Sequence, residues 1–332
     1  MSELPVVAVA SFGGTIAMAA TGNDVGVLPE FGADDLIASV SDLETSVRFV
    51  TREVANVGSP SVHFDDVLNG VRWAREQVDA GACGVVMTHG TDTIEESAYL
   101  ADLLWDRDAP LVFTGAMRSP EEPGAEGAAN LRAAISLALA PGTRELGSLV
   151  VMNDQVFRGD RVRKSHTFAV DAFDTPCYRP IGRITEGEPE IDWLPAQPRL
   201  APLTAGPVRG EVVIVGAGIG DTGFGLRAVV DAGAAALVID GVGAGHVSAA
   251  AADVVSELVP RIPVVMVSRT RGGRTGTRTY AYPGAEMDLI QRGVVMAGRL
   301  NAAQARLLAW VLVSSSAPIG TWREQFALRG RS

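Results

Sequence analysis

Short apolar runs alternate with longer segments of helical spacing through the first 190 residues of the chain. The apolar runs, each short enough to be a buried strand, are Val6–Ser11, Val47–Val54, Gly84–Thr88, Pro110–Thr114 and Ser148–Asn153. The segments with helical spacing are Ala33–Val40, Ser61–Ala80, Glu95–Trp105 and Ala128–Leu139. Because strands that alternate with helices pair in parallel, this pattern predicts an α/β fold with a parallel sheet covered on both faces.

The pattern changes between Thr185 and Gly210, where five prolines and little periodicity indicate a linker or long connection. Alternation then resumes, with strands predicted at Glu211–Val215, Ala235–Ile239 and Val264–Ser268 and helices at Gly225–Ala232, Ser248–Leu258 and Ala302–Leu312. We therefore predict an N-terminal domain over residues 1–190, a linker over 191–210 and a smaller α/β C-terminal domain over 211–332.

Charge and composition exclude several classes of protein. With 28 basic and 39 acidic residues the net charge is −11, so the surface as a whole repels nucleic-acid phosphates and anionic lipid. The N-terminus has no basic region and no run approaches the ~18 apolar residues of a membrane span, so we expect no signal peptide, no membrane partner and a cytoplasmic location. Cys83 lies in an apolar run far from Cys177, and we expect it to be a buried free thiol.

Three polar clusters follow predicted strands, where ligands bind in open parallel sheets. The first is Ser11–Ala17, in which two glycines allow a sharp turn that presents Thr15, although an ordinary capped turn also fits. The second is Thr88–Ser97, in which Thr93 and Glu96 have the spacing of a capping box.

That capping box leaves Thr91 and Asp92 beside a helix N-terminus, a position that suits a substrate carboxylate or a developing oxyanion. Asp92 also fits a simple N-cap. The third cluster, Met152–Lys164, is dense in charge and typical of a solvated loop, but a lysine buried beside a carboxylate is able to serve as a base.

The three clusters together supply two threonine hydroxyls, one carboxylate and one lysine. A threonine oxygen is a poor nucleophile unless a neighbouring base activates it. A Thr-Asp-Lys group provides such a base, together with a charge that orients it, without histidine. Neither His89 nor His166 lies in a Ser-His-Asp arrangement, and no metal-ligand spacing occurs, so we expect no metal and no other cofactor.

These motifs resemble those of the bacterial-type L-asparaginase/glutaminase family. Gly13–Ala17 is similar to the family's first signature, and Thr88–Glu96 is similar to its second, nearly letter for letter. Gly115–Arg118 and Val151–Asp154 are similar to further family segments, and the order and spacing fit through Gly298–Asn301. The resemblance therefore covers almost the entire chain.

The resemblance implies an L-asparaginase, an amidohydrolase that converts L-asparagine to L-aspartate and ammonia through a threonine acyl-enzyme. Carried over by position, it implies that Thr15 is the nucleophile and that Thr91, Asp92 and Lys164 form a second catalytic group. It also implies a large N-terminal α/β domain and a smaller C-terminal one.

The same resemblance implies how substrate is held. Ser59, Thr91 and Asp92 are the substrate-binding residues, with Ser59 and Asp92 at the α-carboxylate and α-amine. Glu286 matches an acidic residue contributed by a partner subunit, in a homodimer or homotetramer with shared sites.

Three departures from the family's pattern surround the amino-acid head of the substrate. The stretch Ala19–Glu30 has no tyrosine where the family often has one, and His246 stands where asparagine is frequent. Pro60 replaces a common glutamine, and proline lacks both an N–H and an amide side chain. The choice among asparagine, glutamine, D-enantiomers and other amides is therefore open, and a hydrolase of another small amide or lactam is the first alternative.

Proteins of other classes fit parts of the sequence. A strand followed by Gly218-x-Gly220-x-x-Gly223 and then Asp240 is similar to a dinucleotide-binding fingerprint, although this pattern is short and common. A non-catalytic ligand-binding protein is a further alternative, against which the combination of catalytic residues argues. An asparaginase-like subunit of a tRNA-dependent amidotransferase shares the chemistry but usually carries an extra N-terminal domain, which we do not expect before Val6.

Overall fold

The chain divides into two units, Met1–Pro202 (unit 1) and Leu203–Ser332 (unit 2). The structure, a computed structural model, describes residues 3–20, 27–194 and 199–331. Unit 1 contains a large, mainly parallel sheet and unit 2 a smaller parallel sheet, each packed with helices. The predicted α/β fold class is therefore confirmed.

The elements of unit 1 follow the predicted alternation closely. The described strands are β1 (Val6–Gly13), β2 (Met18–Ala20), β3 (Val27–Pro29), β4 (Arg48–Val57), β5 (Gly84–Thr88), β6 (Leu111–Thr114), β7 (Ser148–Met152), β8 (Gln155–Arg158), β9 (Arg163–Lys164), β10 (Phe173–Asp174), β11 (Gly182–Thr185) and β12 (Glu188–Ile191). The described α-helices are α1 (Ala33–Ala38), α2 (Phe64–Asp79), α3 (Ile94–Leu104) and α4 (Gly127–Leu139).

The main sheet of unit 1 has the strand order β12-β11-β8-β7-β6-β5-β1-β4. Neighbouring strands are parallel from β4 to β7. Val7 and Val9 share one face with a core that includes side chains of α1 and α4. Phe12 is separated from Val7 and Val9 by an odd number of residues along β1, so its side chain lies on the opposite face of the sheet, against Gly70 of α2. Helices therefore cover both faces, which explains why the strands are almost uniformly apolar.

The antiparallel part of this sheet was not predicted. Asn153 and Asp154, with φ of 50° and 59°, form a two-residue turn that pairs Met152 with Gln155 and returns the chain as β8. Positive φ at both central residues is typical of the tight turns that match strand twist. The stretch predicted as a charged loop therefore begins as a hairpin.

A second hairpin occupies the start of the predicted linker. Glu186 and Gly187 have φ of 53° and 86° and join β11 to β12, with Thr185 opposite Glu188. The expectation of irregular chain from Thr185 onward is wrong over this segment, because the two turn residues let strands add to the sheet edge beside β8.

Unit 2 repeats the parallel α/β pattern on a smaller scale. Its described elements are β13 (Val212–Gly216), α5 (Phe224–Asp231), β14 (Ala236–Gly241), α6 (Ala249–Leu258), β15 (Val264–Ser268), α7 (Glu286–Arg292), β16 (Val295–Met296), α8 (Ala302–Ser314) and α9 (Ile319–Arg329). The strands are parallel in the order β13-β14-β15-β16. Across the described part of the chain, no helix is long and apolar enough to cross a membrane.

The connection between the units is anchored on each side. Residues 195–198 of the predicted linker lie outside the described residues. The Arg199 guanidinium donates to the carbonyl of Trp105 (2.7 Å) and to the carboxylate of Asp102 (3.2 Å), at the end of α3. The N–H of Gly206 donates to the Ser314 hydroxyl (3.0 Å) in α8. The domain limits at residues 190 and 211 stay a prediction.

Two local predictions are wrong. Cys83 is a free thiol as predicted, but it is half-buried rather than buried; Cys177 is also free. Helix α2 begins at Phe64 rather than Ser61, since the Asp66 carboxylate accepts the N–H of His63 (2.8 Å) and caps the helix there. Ser61 instead ends a separate 3-10 turn.

Gly84→Ala should destabilise unit 1. A β-carbon at this position would lie 2.5 Å from the carbonyl oxygen and 2.9 Å from the Cα of Ala138 in α4, so the backbone of β5 or α4 must shift. Overpacking of this kind costs about 1–3 kcal/mol. The measurement is the free energy of unfolding from guanidinium titration.

Gly142→Ala is the matched control for that experiment. Nothing lies within 4 Å of a β-carbon at Gly142, so its substitution should be neutral or stabilising by up to about 1 kcal/mol. Equal stability of the two variants would contradict close packing of α4 on β5.

Candidate active site

Thr15 stands directly beyond the carboxyl end of β1. Gly13 and Gly14 both have φ of 85°, a conformation that residues with a side chain rarely adopt, and they turn the chain out of the strand. The N–H of Gly14 donates to the carbonyl of Val57 (3.1 Å). A 3-10 turn begins at Thr15 and buries Ile16, which leaves Thr15 itself half-buried.

Close contacts at Gly14 and Gly90 bring three turns together. A β-carbon on Gly14 would lie 2.2 Å from the Cα of Gly90, and one on Gly90 would lie 2.7 Å from the Cβ of Ser59. Thr15 and Thr91 each follow one of these glycines. The turns that carry Ser59, Thr15 and Thr91 are therefore in direct contact, which the strand-end argument predicts for Thr15 and Thr91.

Lys164 joins this group from β9. Its Nζ donates to the Thr91 Oγ1 (2.9 Å) and to the Asp92 Oδ1 (2.6 Å). The Lys164 side chain is only 14% exposed, whereas that of Asp92 is 61% exposed. The amine is thus held below the surface between a hydroxyl and a carboxylate, and the Asp92 carboxylate remains open to a ligand.

Glu95 fixes the backbone position of Lys164. One oxygen of its carboxylate accepts the backbone N–H of Lys164 from the first turn of α3. Burial raises the pKa of Glu95, opposed by this hydrogen bond and by nearby cations. Glu95 lies in the second polar cluster, but no local pattern indicates this role, since its partner is 69 residues away in sequence.

The predicted capping box of Thr93 and Glu96 does not form. The side chain of Thr93 accepts no capping hydrogen bond, and its hydroxyl donates to the carbonyl of Ser59 (2.8 Å) instead. This bond ties the Ser59 turn to the start of α3. The threonine therefore positions the candidate site rather than the helix end.

His89 is buried and acts as an anchor rather than a base. Its Nδ1 donates to the carbonyl of Gly90 (2.8 Å), and its Nε2 accepts from the Ser97 hydroxyl (2.9 Å). Because a carbonyl only accepts, Nδ1 carries the proton. Burial lowers the pKa of His89 to about 4, against the opposing hydrogen bond to Gly90. The neutral ring fixes the Gly90 turn to α3.

Glu286 belongs to unit 2 and is completely buried at the start of α7. One carboxylate oxygen accepts the N–H groups of Thr279 (2.7 Å) and Tyr280 (2.8 Å), and the other lies 2.8 Å from the Nε2 of His246. Burial raises the pKa of Glu286, but the N–H groups of Tyr280 and Thr279, its own N–H and the His246 ring together hold that pKa below its usual range. The Tyr282 hydroxyl lies 2.9 Å from the Nδ1 of His246.

Thr15, Ser59, Thr91, Asp92 and Lys164 all belong to unit 1, and Glu286 belongs to unit 2. Residues 21–26 of the stretch without tyrosine lie outside the described residues. Over residues 3–20, 27–194 and 199–331, no group of three or more His, Cys, Asp or Glu side chains is placed to hold a metal ion.

The number of lysines in the chain also draws attention to Lys164, without reference to any motif. Lys164 is the single lysine among the 28 basic residues of the chain, and the others are arginines. Arginine stays charged and presents a planar fork, whereas lysine presents one compact amine that can also lose its proton. A chain that otherwise uses arginine throughout keeps lysine where an amine contacts Thr91 and Asp92.

Comparison with protein-family models identifies both parts of the chain. Residues 6–197 match the model of the asparaginase N-terminal domain, and residues 211–326 match that of the glutaminase/asparaginase C-terminal domain. The second match includes the Gly218–Gly223 pattern, which therefore lies within an asparaginase-type domain.

Similar proteins cover nearly the whole chain. A probable L-asparaginase of Deinococcus radiodurans is 35% identical over 95% of this chain and 95% of its own length. A subunit of the glutamyl-tRNA(Gln) amidotransferase of Halobacterium salinarum is 30% identical over 98% of this chain and 79% of its own length. The crystal structure of a probable cytoplasmic L-asparaginase from Campylobacter jejuni matches 97% of this chain and 99% of its own, with a TM-score of 0.85 and 27% identity.

The family-model matches and the similar proteins show that this chain is an enzyme of the amidohydrolase class. The chain belongs to the asparaginase family.

Stability should depend on pH through His89. The folded protein keeps this ring neutral down to about pH 4, whereas an unfolded histidine binds a proton below about 6.5. The unfolded chain therefore binds the extra proton first, and the free energy of unfolding falls as the pH decreases between these values, by roughly 3 kcal/mol. Urea titrations across this range measure the effect.

His89→Asn should flatten that pH dependence, because its amide does not titrate, even though the smaller side chain lowers stability at every pH. His63→Asn, at an exposed histidine, is the control and should keep the wild-type slope. An unchanged slope in His89→Asn would contradict the role of a buried neutral ring.

Proposed function

We propose that this protein is a cytoplasmic L-asparaginase that hydrolyses L-asparagine to L-aspartate and ammonia. The observation that carries the proposal is the position of the Lys164 amine between Thr91 and Asp92, beside the turn that presents Thr15. This arrangement supplies a nucleophile and a proton-transfer group for an amide without a metal. The similarity to probable L-asparaginases of Deinococcus radiodurans and Campylobacter jejuni supports the same substrate class and location.

In the proposed reaction the Thr15 oxygen attacks the amide carbon of the substrate, and the Thr15 proton passes to the Thr91–Lys164–Asp92 group, directly or through a water. The tetrahedral intermediate then expels ammonia, with a proton returned to the leaving nitrogen. Water cleaves the resulting ester, which releases the acid and restores the Thr15 hydroxyl. Backbone N–H groups near Thr15 and Thr91 are the proposed donors to the developing oxyanion.

We propose that Ser59, Thr91 and Asp92 bind the amino-acid head of the substrate. The exposed carboxylate of Asp92 suits an α-ammonium group, while the Ser59 turn is held beside it by the Thr93 hydroxyl. We further propose a homodimer or homotetramer in which unit 2 of a neighbouring subunit completes each site through the group around Glu286.

The relationship to an amidotransferase subunit favours a second candidate function. In that case the same threonine chemistry would release ammonia for a partner protein rather than as a free product. An ammonia-release assay with the purified chain over asparagine, glutamine, D-asparagine and simple amides separates the candidates. Turnover of free asparagine by the purified chain alone supports the asparaginase. No ammonia release until a partner protein is added supports the amidotransferase subunit.

Substitutions in unit 1 test the catalytic assignment. Thr15→Ala, Thr91→Val and Lys164→Met should each lower kcat by about 10³-fold or more, since each removes a reacting or proton-transfer group from a set that acts as a unit. Lys164→Arg keeps the charge but not a titratable amine, so it should also be inactive. Near-normal ammonia release by Thr15→Ala would overturn the nucleophile assignment.

Mixed oligomers test the shared site. A Thr15→Ala subunit lacks the nucleophile, and a Glu286→Ala subunit lacks the carboxylate of unit 2, so coexpression should restore part of the activity that each variant lacks alone. Differential tags and sequential purification isolate the mixed species. Absence of rescue in a purified mixed oligomer would count against a neighbour's contribution.

A further inference from the structure

The turn after β6 lies against the turn that carries Thr91. A β-carbon on Gly115 would lie 2.4 Å from the carbonyl oxygen of His89 and 3.4 Å from the Cγ2 of Thr91. The methyl group of Thr91 therefore lies beside Gly115, and its hydroxyl accepts from the Lys164 amine (2.9 Å). Because χ1 of threonine has few favourable values, the place of the Gly115 turn decides which way this hydroxyl points.

Two side chains from the start of α4 hold the Gly115 turn. The Nδ2 of Asn130 donates to the carbonyl of Gly115 (3.0 Å). One carboxylate oxygen of Glu126 accepts the N–H of Met117. The two bonds lie on either side of Ala116, which is itself buried. The backbone of the turn is therefore tied to the start of α4 at two points.

Asn130 also reaches the hairpin that leads to Lys164. Its Oδ1 accepts the N–H of Asn153 (3.0 Å), at the turn between β7 and β8. The side chain is buried, and its single amide supplies the donor for Gly115 and the acceptor for Asn153. An ionised aspartate would keep only the acceptor. Asn130 therefore links the turn beside Thr91 to the strands that continue towards Lys164.

Neither side chain is needed by α4 itself. Glu126 stands at the N-cap position, where a carboxylate ordinarily accepts an N–H of the first turn, yet its side chain makes no capping bond. Asparagine is a poor helix former because its amide competes with the backbone. The two residue types are thus explained by the turn that they hold rather than by the helix that carries them.

The start of α4 also lies against the turn of the nucleophile. A β-carbon on Gly127, the first residue of α4, would lie 3.0 Å from the Cγ1 of Ile16, the residue after Thr15. Glycine at this position lets the helix backbone approach the Ile16 side chain closely. One helix end therefore contacts the Thr15 turn directly and the Thr91 turn through Gly115.

We propose that Asn130 and Glu126 are positioning residues, which fix the Gly115 turn and thereby keep a hydroxyl and an amine of the candidate site in contact. The pair that they align is the Thr91 hydroxyl and the Lys164 amine. The inference rests on the proposed function, in which this pair takes the proton of the nucleophile. Without either tie the turn should shift and Thr91 should adopt other rotamers, although every catalytic side chain is still present.

The single lysine of the chain allows a direct test. Protein made with lysine that carries carbon-13 at Cε gives one lysine signal in an NMR spectrum, and its chemical shift reports the surroundings of the Lys164 amine. Thr91→Val removes the hydroxyl and marks the shift of an amine without this contact. Asn130→Asp should move the signal towards that of Thr91→Val, and kcat for L-asparagine should fall about tenfold to a hundredfold.

Two substitutions at Glu126 separate positioning from a loss of structure. Glu126→Gln keeps an oxygen that accepts from Met117, and among the described residues the second carboxylate oxygen has no partner to lose. This variant should keep the lysine signal of the wild type and most of its kcat. Glu126→Leu removes the acceptor and should behave as Asn130→Asp does.

Thr143→Val is the matched control at the other end of α4. The Thr143 hydroxyl is buried and donates to the carbonyl of Leu137 (2.8 Å), so its loss should lower the free energy of unfolding without changing the lysine signal or kcat. Circular dichroism shows which variants fold, and all comparisons are made below their unfolding transitions.

A wild-type signal or a wild-type kcat in folded Glu126→Leu and Asn130→Asp would overturn the proposal. So would equal effects of Glu126→Gln and Glu126→Leu, a lysine signal that Thr91→Val does not move, or a shift of the same size in Thr143→Val. The signal is read without substrate, so a wild-type protein that aligns Lys164 but releases no ammonia would refute only the proposed activity.

Discussion

The contact between the Gly14 and Gly90 backbones is the constraint on which the candidate site depends. No side chain fits at Gly14, because a β-carbon would overlap the Cα of Gly90. The two turns at the ends of β1 and β5 therefore approach as closely as backbone allows, and each is followed at once by a threonine. The positions of Thr15 and Thr91 are set by strand ends and glycines, while the buried ring of His89 keeps the second turn in place.

Most of the fold was accessible from the sequence because apolar runs and helical spacing record burial directly. Most of the parallel strands and their helices were predicted within a few residues, although α7, β16 and α9 were not predicted, and strand ends located Thr15, Thr91 and Asp92. The antiparallel extension was missed because its turns, at Asn153-Asp154 and Glu186-Gly187, are short and lie in segments whose charge or proline content indicates loop.

The site was predicted less completely, since several of its contacts join residues far apart in sequence. Thr93 has the spacing of a capping residue, yet its hydroxyl donates to Ser59, and only the folded chain brings these two together. Glu95 supports Lys164 through a bond that no local pattern reports. Resemblance placed a carboxylate at Glu286 but not its burial, which follows from the segment that carries Thr279 and Tyr280 folding over it.

The use of a single lysine has a consequence for anyone who handles this protein. Apart from the terminal amine, Lys164 offers the chain's one primary amine, and it is hydrogen-bonded at the candidate centre. Aldehyde fixatives, activated esters and amine-reactive resins all couple proteins through lysine. On this chain they find no other lysine to react with than Lys164. Attachment chemistry for this molecule is better directed at the exposed thiol of Cys177 than at carboxylates, since the Asp92 carboxylate of the candidate site is also exposed.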